Sequence, residues 1–306
     1  MLGITGTFLD AVLNDIPSNN WGPDEWARDF DAMKAIGIDT VILIRAGLGD
    51  QMMFDSKVLK SHFNMRPCYT DWMDVFLTLC EQRDMKFFYG TYNSKHYCHI
   101  GQPEKEIELN LELCKEFLDL YGHRKALQGW YMSIEIGAYN PDVLNVYEAL
   151  SDYLRQSKNL PIMISPGVRG KKEYPDDFLT PQQHEETWAQ TFARLEGLID
   201  IVAFQDGHME FCEMPEYFEI NRRLANKHGI EFWSNVETFE RGMPIRFLPI
   251  AWQNMRYKME QSTQAQKLIT FEFSHFLSPN SMYSSAHELY KRYKEYISDA
   301  VVSGGK

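Results

Sequence analysis

The sequence predicts a (β/α)₈ barrel, and three observations carry that prediction. Short apolar, β-rich runs recur along the 306 residues, each run is followed by a segment of helical periodicity, and there are eight such pairs. A doubly wound sheet is the structural alternative. It would normally have fewer strands and a Gly-rich turn after the first one; here Gly3 and Gly6 stand inside the first strand, and no G-x-G-x-x-G turn follows. Aromatics, charges and glycines are spread evenly, with no Pro/Gly/Ser-rich linker, low-complexity run or short repeat, so residues 1–306 are expected to form a single domain.

The eight strands are expected at 4–8, 40–45, 87–92, 129–135, 161–165, 201–205, 231–237 and 268–273. The first intervening helix has Pro23 near its start, where proline fits, a stripe of Trp26, Phe30 and Met33 at i, i+4 and i+7, and Gly37 as its stop. Ile107, Leu111, Cys114 and Leu118 repeat the stripe on the third helix. Before the fifth, Thr180 can cap, Pro181 takes the first helical position and Gln183 sits where a capping box needs it. Leu289, Tyr293 and Tyr296 mark the eighth.

A formal net charge of −12, with no dense Lys/Arg run beyond short groups such as Arg169–Lys172, argues against nucleic acid or an anionic membrane as partner. The five cysteines are odd in number and lack C-x-x-C spacing, which suggests no disulfide framework. No stretch reaches 18 apolar residues, so no membrane span is expected. These features fit a soluble protein, cytoplasmic or, after removal of a signal segment, periplasmic; they imply no oligomeric state.

In a barrel, chemistry belongs at the C-terminal ends of the strands, where alternate residues point inward. Along the fourth strand, Tyr131, Ser133 and Glu135 share one face, while Trp130, Met132, Ile134 and Ile136 share the other. The apolar set must pack on helices, so Glu135 is expected to point into the barrel mouth. On the seventh strand Trp233, Asn235 and Glu237 behave alike. Arg45, Tyr92, Asn93, Gln205, Asp206, His208 and Glu272 fall near the same level. Two carboxylates across a cleft, ringed by hydrogen-bonding groups and aromatic faces such as Trp233, Tyr131 and Tyr92, are the equipment of glycoside hydrolysis. The expected partner is therefore a carbohydrate, with Glu135 and Glu237 catalytic and the others binding substrate. Burial beside Ile134 and Ile136 would hold a proton on Glu135, while Arg45 or Asn235 would keep Glu237 ionised.

With these residues in view, the chain resembles a family of bacterial glycosidase-like TIM barrels catalogued as a domain of unknown function. The resemblance rests on Gly6-Thr7-Phe8, on Trp26, Phe30, Met33 and Gly37-Ile38-Asp39, and on Gly129-Trp130-Tyr131 with Glu135. It continues through Ala203 to Gly207, the W-x-N-x-E-x-F of Trp233, Asn235, Glu237 and Phe239, and Phe271-Glu272-Phe273 leading to Ser278-Pro279. That family is similar in turn to the clan of retaining barrel glycosidases with an acid/base glutamate after strand four and a nucleophile glutamate after strand seven. Glu135 and Glu237 match those positions. One residue departs: the clan usually has Asn before the strand-four glutamate, and here stands Ile134.

Other readings remain beside this one. Glu135 and Glu237 could form buried ion pairs with Arg45 or a lysine, and the barrel could hold a glycan without cleaving it. Glu272 could serve a salt bridge, and Asp206 the turn before Gly207. His96, Cys98 and His99 lie close together, but they lack the spacing of a standard zinc site, and no metal or cofactor is expected.

Overall fold

The computed structural model describes residues 3–12, 20–241 and 247–303. Eight parallel strands close into a barrel in sequential order. They are β1 (Ile4–Leu9), β2 (Thr40–Leu43), β3 (Lys86–Gly90), β4 (Leu127–Tyr131), β5 (Ile162–Ile164), β6 (Ile201–Gln205), β7 (Glu231–Asn235) and β8 (Lys267–Thr270). The ring closes where β1 pairs with β8, Ile4 opposite Leu268 and Thr7 opposite Thr270.

One long helix follows each strand: α1 (Pro23–Ala35), α2 (Trp72–Gln82), α3 (Pro103–Tyr121), α4 (Pro141–Ser157), α5 (Pro181–Leu195), α6 (Met214–Lys227), α7 (Trp252–Gln261) and α8 (Ser284–Ser303). Local chemistry sets several of their ends. Pro23 opens α1, Asp24 and Glu25 place negative charge in its first turn, and Gly37 leaves it at φ +89°, a conformation that glycine adopts without strain. At α5 the capping box forms: the Gln183 N–H donates to Thr180 Oγ1 at 3.3 Å, and the Thr180 N–H to Gln183 Oε1 at 2.9 Å. On α3 the fully buried face is centred on Leu109, Leu113, Cys114 and Phe117, whereas Ile107, Leu111 and Leu118 are only partly covered. The expected stripe is thus displaced around the helix: Phe117 stacks on Tyr89 of β3 while α3 also packs against α4.

Strand parity sorts the core into two bodies. Phe8, Ile42, Phe88, Tyr131, Met163 and Trp233 are among the residues that fill the barrel interior, while Trp130, Ile162, Ile164 and Phe232 join the layer between strands and helices. Gly129 makes room inside, since a Cβ there would lie 2.5 Å from the Phe88 ring. Two hairpins rise from the barrel, Gly47–Leu48 with Gln51–Met52 after β2, and Phe239–Arg241 with Phe247–Pro249 after β7. A short helix, Phe273–Phe276, follows β8.

The strands end sooner than their apolar pattern suggests. β4 stops at Tyr131, β7 at Asn235 and β8 at Thr270, so Glu135, Glu237 and Glu272 all stand on the loops beyond. Among the described residues no helix is long and apolar enough to cross a membrane, and all five cysteines are free.

Candidate active site

Glu135 and Glu237 line one cavity of about 150 Å³, together with Arg45, Gln205, Asn235 and Arg241. Its remaining walls are Phe8, Ile44, Phe239, Phe247, Phe271 and Phe276. The two carboxylates sit in different surroundings. Glu135 is solvent-exposed, and the hydroxyl of the fully buried Tyr131 donates to its Oε1 at 2.9 Å.

Glu237 is 3% exposed. Its carboxylate lies against the backbone of Gly207, where any Cβ would come within 1.6 Å of Glu237 Oε2. The glycine is needed for this close approach. Burial raises the Glu237 carboxyl above its ordinary range, with the nearby Glu135 charge adding to the rise; the Arg241 guanidinium and Lys258 ammonium oppose it.

A buried cluster fixes the Glu237 backbone from behind. Lys258, on α7 and 1% exposed, donates to Asp206 Oδ1 at 2.7 Å and to the Glu237 carbonyl at 3.0 Å. The Glu237 N–H in turn donates to the same Asp206 oxygen at 3.0 Å. Burial pushes the Asp206 carboxyl up to about 6 despite its lysine partner. Asp206 therefore does not line the cavity; it holds a residue that does.

Arg241 joins the second set of supports. Its guanidinium lies 3.5 Å from Glu237 Oε2 and 3.5 Å from Glu173 Oε2, and donates to the Gly207 carbonyl at 3.2 Å and to His208 Nε2 at 3.0 Å. Burial and this guanidinium depress the His208 pKa, which leaves Nε2 free to accept. On the other side Ser165, just past β5, ties neighbouring strands together: its carbonyl accepts from Gln205 Nε2 at 2.8 Å, and its hydroxyl from Asn235 Nδ2 at 3.4 Å.

Several residues expected at this level lie elsewhere. Trp233 does face the barrel interior, but near the N-terminal end, with its indole N–H donating to Glu231 at 3.1 Å and Lys267 over its ring. Tyr92 packs in the outer core against Phe63, its hydroxyl donating to the Gly49 carbonyl at 3.1 Å. Asn93 caps its own turn by accepting from the Lys95 N–H at 2.8 Å. Glu272 is wholly buried behind β8, accepting from the Asp10 N–H at 3.1 Å and pairing with His275; burial and Asp10 hold its carboxyl far above the usual range. Arg45 lines the cavity, but its ion-pair partner is Asp10 at 3.6 Å rather than either glutamate.

The expected ionisation pattern is reversed in burial: the exposed carboxylate is Glu135, and the enclosed one is Glu237. The loop carrying Glu135 leaves the strand before reaching it, so flanking Ile134 and Ile136 are buried while the glutamate is not. Lys258 and Arg241 escaped the sequence reading, since each looks like an ordinary surface charge until the fold brings it to Glu237. In the segment weighed for a metal, His96 is exposed, Cys98 begins a short 3₁₀ turn, and the His99 side chain lies outside the described residues. No group of three or more His, Cys, Asp or Glu converges on a metal-sized site among the described residues.

Solved structures that share this architecture include proteins named as glycoside hydrolases. A crystal structure from Bacteroides thetaiotaomicron VPI-5482, named a "putative alpha-L-fucosidase", shares 42% identity over 96% of this chain and 95% of that one, with a TM-score of 0.92. Far lower identity, with the same fold, links the chain to two others. An endo-1,4-beta-D-mannanase from Thermotoga petrophila RKU-1 is 9% identical over 96% of this chain and 99% of that one, at a TM-score of 0.59. A GH18 chitinase from Pseudoalteromonas aurantia is 10% identical over 97% and 99%, at 0.56. No curated protein matches the chain. Residues 4–283 match the family described as Domain of unknown function (DUF4434), and the chain belongs to that family.

Proposed function

We propose that the protein hydrolyses a glycosidic bond, using Glu135 and Glu237 as its two carboxyl groups. The observation that supports this most is that both glutamates, arriving from the ends of different strands, line one small cavity, where the Glu135 charge helps to raise the Glu237 carboxyl. The relative at 42% identity, named for alpha-L-fucosidase activity, is consistent with the same class.

In the retaining form of the reaction, ionised Glu237 attacks the anomeric carbon while Glu135 gives a proton to the departing oxygen. Water then attacks the glycosyl ester, returning its proton to Glu135 and freeing Glu237. Tyr131 occupies Oε1 of Glu135 and leaves Oε2 for that proton transfer. Gly207, Arg241 and the Asp206–Lys258 pair hold Glu237 in place. The assay is release of sugar from a panel of aryl glycosides and oligosaccharides, alpha-L-fucosides included. Glu135→Gln and Glu237→Gln should each lose at least ~10²-fold in kcat, the range of a positioned acid, base or nucleophile; full activity in either variant removes the assignment.

A second reading, a barrel that binds a glycan without cleaving it, is favoured by one observation. Ile134 is buried and presents no side-chain amide where retaining glycosidases usually have asparagine. Calorimetric binding of an oligosaccharide that stays intact through long incubation supports it, and released sugar rejects it.

A further inference from the structure

Every aromatic ring lining the cavity belongs to phenylalanine. Phe8, Phe271, Phe239, Phe276 and Phe247 form one connected wall, with centroid separations of 6.1 Å for Phe8–Phe271, 5.9 Å for Phe239–Phe271, 5.2 Å for Phe239–Phe276 and 4.9 Å for Phe239–Phe247. Tryptophan or tyrosine would give such a wall a polar handle; phenylalanine gives none. A sugar hydroxyl resting there would surrender its water without receiving a donor or acceptor in return, whereas a methyl group would gain from burial.

Apart from Ile44 the remaining lining is polar, and two of its atoms, Asn235 Oδ1 and Arg45 Nε, are buried with no hydrogen-bond partner among the described residues. A ligand with hydroxyls along one edge and hydrocarbon along another suits both halves. At about 150 Å³ the cavity is smaller than the ~300–1,000 Å³ usual for drug-sized ligands, which fits a single ring rather than a stretch of polysaccharide. Resting on the glycosidase reading, we propose that the cavity takes a terminal 6-deoxyhexose, its C5 methyl group set against the phenylalanine wall and its ring hydroxyls against the polar residues. The protein would then act from chain ends and discriminate against the matching sugar that bears a hydroxyl at C6.

The test is calorimetry on the Glu135→Gln/Glu237→Gln double variant, which cannot turn a ligand over. The probes are methyl glycosides, both anomers, of three pairs that differ only by the C6 hydroxyl: L-fucose and L-galactose, L-rhamnose and L-mannose, 6-deoxy-D-glucose and D-glucose. At least one deoxy sugar should bind about tenfold to a hundredfold more tightly than its partner, the range in which an apolar pocket rejects an added hydroxyl. Phe247→Ser, at the half-buried edge of the wall, should narrow that ratio to a few-fold. Equal affinities within every pair overturn the inference and leave the glycosidase reading standing. An unchanged ratio in Phe247→Ser also overturns it, as does no binding by any of the six sugars, while sugar release from the aryl glycoside and oligosaccharide panel decides the glycosidase reading separately.

Discussion

Lys258→Met isolates the buried cluster behind Glu237. In the native protein ionised Asp206 is already disfavoured: a carboxyl pushed from 3.8 up to about 6 corresponds to on the order of 3 kcal/mol, at about 1.36 kcal/mol per unit. Because the folded-state value is raised, this group favours folding below 3.8, and that contribution is lost as pH rises through about 6. Lys258 is what keeps the loss from being larger. Removing it leaves Asp206 to take a proton or stay buried unpaired, and strips a donor from the Glu237 carbonyl. Breaking a buried pair from one side typically costs ~3–5 kcal/mol, so urea unfolding at pH 7 should show a loss of that size. The double variant Lys258→Met/Asp206→Asn, with neither charge, should recover part of it. Activity should fall by up to ~10²-fold through misplacement of Glu237, and the acidic limb of kcat/KM should move to higher pH because a cation that lowers the Glu237 pKa is gone. A stability loss below ~1 kcal/mol, or equal losses in the single and double variants, refutes the clamp.

Two further outcomes follow from the same geometry. Gly207→Ala would drive a Cβ into the Glu237 carboxylate, which can yield more cheaply than backbone, so the melting temperature should change little while kcat/KM drops by ~10²-fold; wild-type kcat/KM would place the chemistry elsewhere. With Glu237 acting ionised and its pKa raised, activity should be gained as pH rises through a limb above 4.5, and Arg241→Gln should move that limb further up by removing the guanidinium that lowers it. An unmoved limb in a pH–rate profile contradicts the assignment.

The barrel was legible because each strand is an apolar run followed by a helix with its own punctuation, and periodicity reads such patterns well. Parity correctly put Tyr131 and Trp233 inside and Trp130 outside. What parity does not carry is height along the barrel axis, and that is why Trp233, inward but low, was expected at the mouth. Nor does it say where pairing stops: the alternation runs on past Tyr131 to Glu135, although the ladder does not. The supports of Glu237 were illegible for a different reason. Lys258 lies 52 residues from Asp206 on a helix that also carries Arg256 and Glu260, and only the closure of α7 onto the barrel turns it from a solvated lysine into a buried one. The five phenylalanines come from the ends of β1 and β8, the hairpin after β7 and the short helix after β8, elements whose meeting no local pattern announces.

Tyr131 and Phe8 meet edge to face, 5.0 Å apart, at the top of the barrel interior. The tyrosine hydroxyl orients Glu135, and the phenylalanine is part of the cavity wall. The last layer of the core is thus also the floor of the site, so the two cannot drift independently over generations of substitution. A change that repacks Met163 or Phe88, in the same interior cluster, for a denser interior would tilt this floor, and a more robust barrel obtained that way would carry its cost in how Glu135 is presented to the cavity.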